Sequence, residues 1–187
     1  RQMCIRDRND ICHEMSTCFA DLLSDRQVTF IPGDAEQLSF PSGQDLIVSC
    51  SALQWFVSPE LFFKRCNALL SGHGYFAFST FGKENLKEIA AVTGSGLHYY
   101  SLEELKKSLS MHYNIVTAGE ERIRLTFATP LDVLYHLKHT GVTAVCRQAW
   151  TKGDLQEFCD KYAKLFSCGN AVTLTYHPLY IIARKKP

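Results

Sequence analysis

Apolar positions along this chain keep two rhythms, and the switches between them outline its elements. Asp45-Leu46-Ile47-Val48-Ser49-Cys50 opens on a charge and then runs apolar without alternation, as in a parallel-sheet strand buried on both faces. Val28–Ile31 and Tyr75–Thr80 read as further buried strands. Leu61, Phe62, Cys66, Leu69 and Leu70 instead fall near helical spacing. Ser58-Pro59-Glu60 starts that helix with an N-cap, a proline at the first position and an acid in the first turn. Other helices are predicted over 11–23, 84–92, 101–108, 131–140 and 151–166, with a capping box at Ser101 and Glu104 and Gly141 at a C-cap. Tyr113–Thr117 and Glu121–Phe127 predict one long strand or two short ones. Ala171–Ala183 predicts a last strand in two halves joined at His177-Pro178.

The order predicts an α/β fold, and in open sheets of that kind ligands bind outside the carboxyl ends of the strands. Gly33-Asp34-Ala35-Glu36 lies just beyond one such end, and the Cys50–Trp55 loop just beyond another. Asp10 stands before the helix 11–23, where an aspartate is a favoured N-cap.

Size and composition narrow the picture. A chain of 187 residues makes one domain, or one domain with a small lid. With a formal net charge of +1, bulk charge points to neither nucleic acid nor membrane as a partner. No apolar run approaches the roughly 20 residues that span a bilayer. The start, RQMCIRDR, lacks the apolar core of a signal peptide, so a cytoplasmic location is expected. The eight cysteines include no CxxC pair and no zinc-finger spacing, so no metal site is expected. Most fall within apolar periodic stretches and read as reduced, structural thiols.

Four segments carry a resemblance when taken in order with GDAE (33–36) and DLIVSC (45–50). They are SALQWF (51–56), YFAFSTFGKENLKEI (75–89), TPLDVLYHLKHTGV (129–142) and TLTYHPLYIIARK (173–185). GDAE alone is weak, but the ordered set is specific. Over roughly residues 9–185 the chain resembles the class I S-adenosylmethionine-dependent methyltransferases. Within them it looks like the malonyl-[acyl-carrier protein] O-methyltransferase family of biotin synthesis. The resemblance implies a Rossmann-like sheet, S-adenosylmethionine as cofactor, and a malonyl thioester on an acyl carrier protein as acceptor. It also implies a helical lid inserted before the last strand.

Carried over residue by residue, Asp10 would accept hydrogen bonds from the ribose hydroxyls. Ile11, Asp34, Ala35 and Cys50 would line the rest of the cofactor. The family's E-x-G-x-G-x-G turn has no counterpart, because no glycine precedes Gly33. The sheet is therefore expected to lack its first strand and glycine loop, the chain reading as an N-terminally truncated member. Residues 1–8 read as a non-native or disordered start, or as the frayed remains of a strand. Residues 9–127 would be a partial core, 128–170 the lid, and 171–187 the last strand and tail.

Methyl transfer from a sulfonium is an in-line displacement, governed by positioning. A free carboxylate acceptor is already ionised at neutral pH, so no general base and no catalytic residue are expected. A cation to orient it is expected instead, from Lys138, His139, Arg147, Arg122 or Arg124. Gln54 and Trp55 look like the substrate-facing edge. Tyr176 and His177 read as support for the lid first and as substrate contacts second. An acidic carrier implies a basic docking surface, which Lys83, Lys87, Lys106, Lys107, Lys138 and Lys152 could supply. Two rivals remain at this point: a small-molecule carboxyl methyltransferase of the same fold, and a non-catalytic fragment.

Overall fold

The structure, a computed structural model, describes residues 6–18, 20–23, 25, 27–141 and 150–187. It divides into two units, Arg1–Gly43 and Gln44–Pro187.

In the first unit β1 (Arg6–Asp10) pairs in parallel with β2 (Val28–Pro32), in register from Arg6↔Val28 to Asp10↔Pro32. The connection carries two short helices, α1 (Met15–Cys18) and α2 (Ala20–Leu23), where the sequence predicts one helix over 11–23. Residues 6–8, read from the sequence as part of a non-native or disordered start or as the frayed remains of a strand, are the first three positions of β1. The strand reads RDRND and has no apolar rhythm, so nothing in its sequence announces it. It is held by its backbone ladder and by side chains. Arg6 pairs with Asp25 at 2.9 Å, and Asn9 Nδ2 donates to the carbonyls of Ile31 and Gly33 at 2.8 and 2.9 Å.

The second unit opens with β3 (Gln44–Cys50), α3 (Pro59–Leu69) and β4 (Leu70–Phe81). There follow α4 (Lys87–Thr93), α5 (Leu102–Leu109), β5 (Tyr113–Glu120), β6 (Ile123–Phe127), α6 (Pro130–His139) and α7 (Lys152–Phe166). It closes with β7 (Ser167–Cys168), β8 (Ala171–Tyr176) and β9 (Pro178–Lys185). One sheet has the order β3-β4-β9-β5, with β3 and β4 parallel and β9 antiparallel to both its neighbours. A smaller antiparallel sheet has the order β6-β8-β7. The two halves of the last strand thus serve different sheets, and His177-Pro178 is the corner between them. Pro178 starts a strand there, a position that asks no amide hydrogen of it.

Aromatic rings fill the core on one face of the larger sheet. Phe63 of α3 stacks on Phe78 at 5.5 Å, and Phe76 meets Tyr113 at 5.9 Å. The other face is open: Leu46 is 56% exposed and Val48 58%. The expectation that this strand is buried on both faces is therefore not met. Among the described residues β3 pairs with β4 alone, as an edge strand, and its outward side chains meet no covering helix.

The inserted segment packs as part of a second core. Val133 and Leu137 of α6 and Phe158 and Tyr162 of α7 close over Leu86, Ile89 and Val92 beside α4, with Val172 and Leu174 of β8. Capping boxes at Thr129/Asp132 and Thr151/Asp154 start α6 and α7. Within this core Glu88 is only 2% exposed. Its carboxylate accepts from the Thr175 amide at 3.0 Å and from the Thr175 hydroxyl at 2.5 Å.

The cysteines also depart from expectation. Cys66 is buried, and burial pushes its thiol up to about 12, but Cys12, Cys18, Cys50 and Cys168 are exposed. Cys4 and Cys146 lie outside the described residues. No helix among the described residues is long and apolar enough to cross a membrane.

Candidate functional site

Two places bring candidate residues together, one in each unit. In the first unit the parallel pair puts the carboxyl ends of β1 and β2 side by side, and the Gly33 amide donates to the Asp10 carbonyl at 2.8 Å. Asp10 and Asp34 therefore stand at neighbouring strand tips, at the same end of the pair. The Asp10 carboxylate accepts from the Cys12 amide at 2.8 Å, an Asx turn that folds the chain back and fixes the acid. Asp34 accepts from the Glu36 amide and from Gln37 Nε2, both at 2.8 Å, which shapes the GDAE loop. Gly33 has φ 129°, a conformation that asks for glycine. Ile11, beside Asp10, is 76% exposed, while Ala35 is half-buried. This set fits the nucleoside end of the cofactor that the resemblance implies. A fixed carboxylate suits a vicinal diol, and a bare apolar side chain suits the face of a base.

In the second unit a small hollow opens at the carboxyl ends of β3 and β4. Gln54, Thr80, Phe81, His98, Tyr99 and Tyr100 are among its lining residues. The β3 end is strained: Ser51 has φ 51°, a left-handed conformation that costs a non-glycine residue about 1–2 kcal/mol. Its amide is anchored on the Ser79 carbonyl at 2.9 Å, and Gln54 Nε2 closes on its carbonyl at 2.5 Å. Thr80 then donates to Gln54 Oε1 at 3.1 Å, so Gln54 is locked across the mouth of both strands. Trp55, the next residue, is 48% exposed. Cys50 ends β3 and is exposed.

The remaining sequence-derived residues scatter. Tyr176 lies behind the hollow, its ring 6.2 Å from Phe81, and its hydroxyl meets His136 Nε2 at 3.0 Å. Lys138 is exposed in the last turn of α6, and Arg147 lies outside the described residues. Arg122 is already occupied, bridging Glu84 and Glu120. Lys83, Lys87 and Lys106 are likewise paired, with Glu104, Glu84 and Glu103. His177 is buried against Gly82, where a Cβ would stand 2.5 Å from the ring. Its Nδ1 accepts from the Glu84 amide at 3.2 Å, which leaves Nε2–H to donate to Glu120. His177 is therefore a corner post between the two sheets. Missed altogether were His98, Tyr99 and Tyr100, whose only sequence signal was the capping box that follows them.

The Arg122 and Lys87 hydrogen bonds hold the Glu84 carboxyl down to about 2. A depressed carboxylate stabilises the fold above its ordinary value near 4.5, and that contribution is lost as pH falls toward 2. Arg122→Gln should therefore raise the Glu84 midpoint in a carboxyl NMR titration and leave the neutral-pH unfolding midpoint nearly unchanged, since the pair is exposed. An unmoved Glu84 midpoint would contradict this pairing.

Comparison with known proteins bears on the fold and the family. A family model described as a methyltransferase domain matches residues 8–78. The N-methyltransferase NodS of Bradyrhizobium japonicum, solved in complex with S-adenosyl-L-homocysteine, superposes with TM-score 0.53 at 12% identity, over 97% of this chain and 66% of that one. The fold is thus that of the class I methyltransferases. The malonyl-[acyl-carrier protein] O-methyltransferase of Bacteroides thetaiotaomicron is 56% identical over 188 residues, covering 95% of this chain and 72% of that protein. The protein of the same name from Bacteroides fragilis is 56% identical over 179 residues, and the match covers 95% of this chain and 36% of that longer protein. The chain belongs to the malonyl-[acyl-carrier protein] O-methyltransferase family.

Proposed function

We propose that this protein methylates the free carboxylate of a malonyl group carried on an acyl carrier protein, in the cytoplasm, with S-adenosylmethionine as methyl donor. The observation that carries the reading is the pair of acids at adjoining strand tips in a chain 56% identical to a curated malonyl-[acyl-carrier protein] O-methyltransferase. Bound S-adenosylmethionine supplies an electrophilic methyl group. Asp10 would hold the ribose diol, Ile11 and Ala35 would border the base, and Asp34 shapes their loop. Gln54 and Trp55 face the acceptor. Tyr176 backs that wall, and Lys138 and Arg147 draw the acidic carrier and its charged acyl group. The chain brings no base, because the acceptor oxygen arrives ionised.

The test is transfer of a labelled methyl group to malonyl-carrier against free dicarboxylates. The expected result is a strong preference for the carrier, with affinity falling steeply between low and high salt. Equal use of free malonate, with no response to salt, would favour a small-molecule carboxyl methyltransferase.

A further inference from the structure

Resting on that reading, we propose that the hollow at the ends of β3 and β4 is the acceptor-carboxylate subsite, and that the Tyr99 hydroxyl is its principal donor. The argument starts with Asn85, which is 5% exposed and holds two partners. Its Oδ1 accepts from the His177 amide at 3.1 Å, and this decides which end of the side-chain amide faces which way. Its Nδ2 therefore faces Tyr99 and donates to the phenol oxygen at 3.1 Å. With that lone pair engaged, the Tyr99 O–H turns away from Asn85, and none of the described residues accepts from it. Tyr99 lines the hollow together with Gln54, Thr80 and His98. Burial raises the phenol's pKa, which keeps its proton in place as a donor at neutral pH.

Charge supports the same assignment. Arg122, one of the cations that the sequence offers, is committed to Glu84 and Glu120. The hollow is mostly apolar, with Leu53, Pro59, Phe81 and Leu105 beside Gln54, Thr80, His98 and two tyrosines, and none of its lining residues is a lysine or arginine. Thr80 already donates to Gln54 and Gln54 to the Ser51 carbonyl, so the Tyr99 O–H is the uncommitted donor, and a neutral donor orients a carboxylate while leaving its lone pair more nucleophilic than a tight ion pair would. Tyr99 is thus a substrate-holding residue, and Asn85 is the positioning residue behind it.

The experiment uses the protein with malonyl-carrier as acceptor, and the neutral malonyl methyl ester on the same carrier as competitive inhibitor. Wild-type transfer is measured first, and its absence would sink the proposed function together with this assignment. Given transfer, Tyr99→Phe should raise KM for malonyl-carrier about tenfold or more, the scale of one hydrogen bond to a charged group. The inhibition constant of the neutral ester should stay within about twofold, because the ester lacks the charge that Tyr99 holds. Equal weakening of both ligands would mean a structural role and overturn the assignment, as would an unchanged KM. A second measurement needs no variant: wild-type calorimetry with malonyl-pantetheine and its methyl ester. The acid should bind about tenfold tighter or more, and equal binding overturns the subsite whatever Tyr99→Phe does.

Discussion

Asp10→Asn will weaken binding of S-adenosylhomocysteine about ten- to a hundredfold, measured by calorimetry, while thermal stability changes little. Asparagine keeps an oxygen for the Cys12 amide, which Asp10 now holds at 2.8 Å, so the turn survives. What it loses is the charge, and hydrogen bonds to an ionised group are each worth roughly 1.5–3 kcal/mol. Asp10→Ala removes the turn as well, so it should lower both affinity and the unfolding midpoint of this segment. The contrast between the two variants separates the ligand-binding role from the cap. If Asp10→Asn binds as tightly as wild type while Asp10→Ala unfolds more easily, Asp10 is a turn residue only.

The other large effect is on stability. Glu88→Ala strips the buried Thr175 amide and hydroxyl of their shared acceptor in the core formed by α4, α6, α7 and β8. A buried group left without its partner costs about 1–3 kcal/mol. With the void added, the loss should reach about 3 kcal/mol or more in a denaturant titration. Glu88→Gln should cost far less. Its carbonyl can take the Thr175 amide, and its side-chain nitrogen can donate to the Thr175 hydroxyl. Similar losses for both variants would mean that the negative charge, rather than the hydrogen-bond pair, holds this core together.

Much of the fold was legible because the apolar rhythms of α3, α5, α6, α7 and the paired strands are strong and their ends are marked. Ser101, Pro59, Gly141 and the His177-Pro178 corner all mark real boundaries. β1 was not legible, since RDRND is a strand only by its pairing with β2, and pairing leaves no trace in a polar pentapeptide. The exposure of Leu46 and Val48 could not be read either, because an apolar strand looks alike whether or not something covers it.

At the proposed site, spacing and resemblance made Asp10, Asp34 and Gln54 candidates. Arg122 misled, as a strand arginine carries no mark of the two glutamates it meets across the fold. Tyr99 was hidden for a related reason: its partner Asn85 lies fourteen residues away, and the His177 amide that fixes Asn85 lies ninety-two away.

The most direct measurement is calorimetric titration of the protein with S-adenosylhomocysteine and with its 2′,3′-dideoxy analogue. If paired strand tips hold the nucleoside through Asp10, the natural sugar should bind at least about tenfold tighter, and Asp10→Asn should abolish that difference. Equal affinity of the protein for the two sugars would contradict the account.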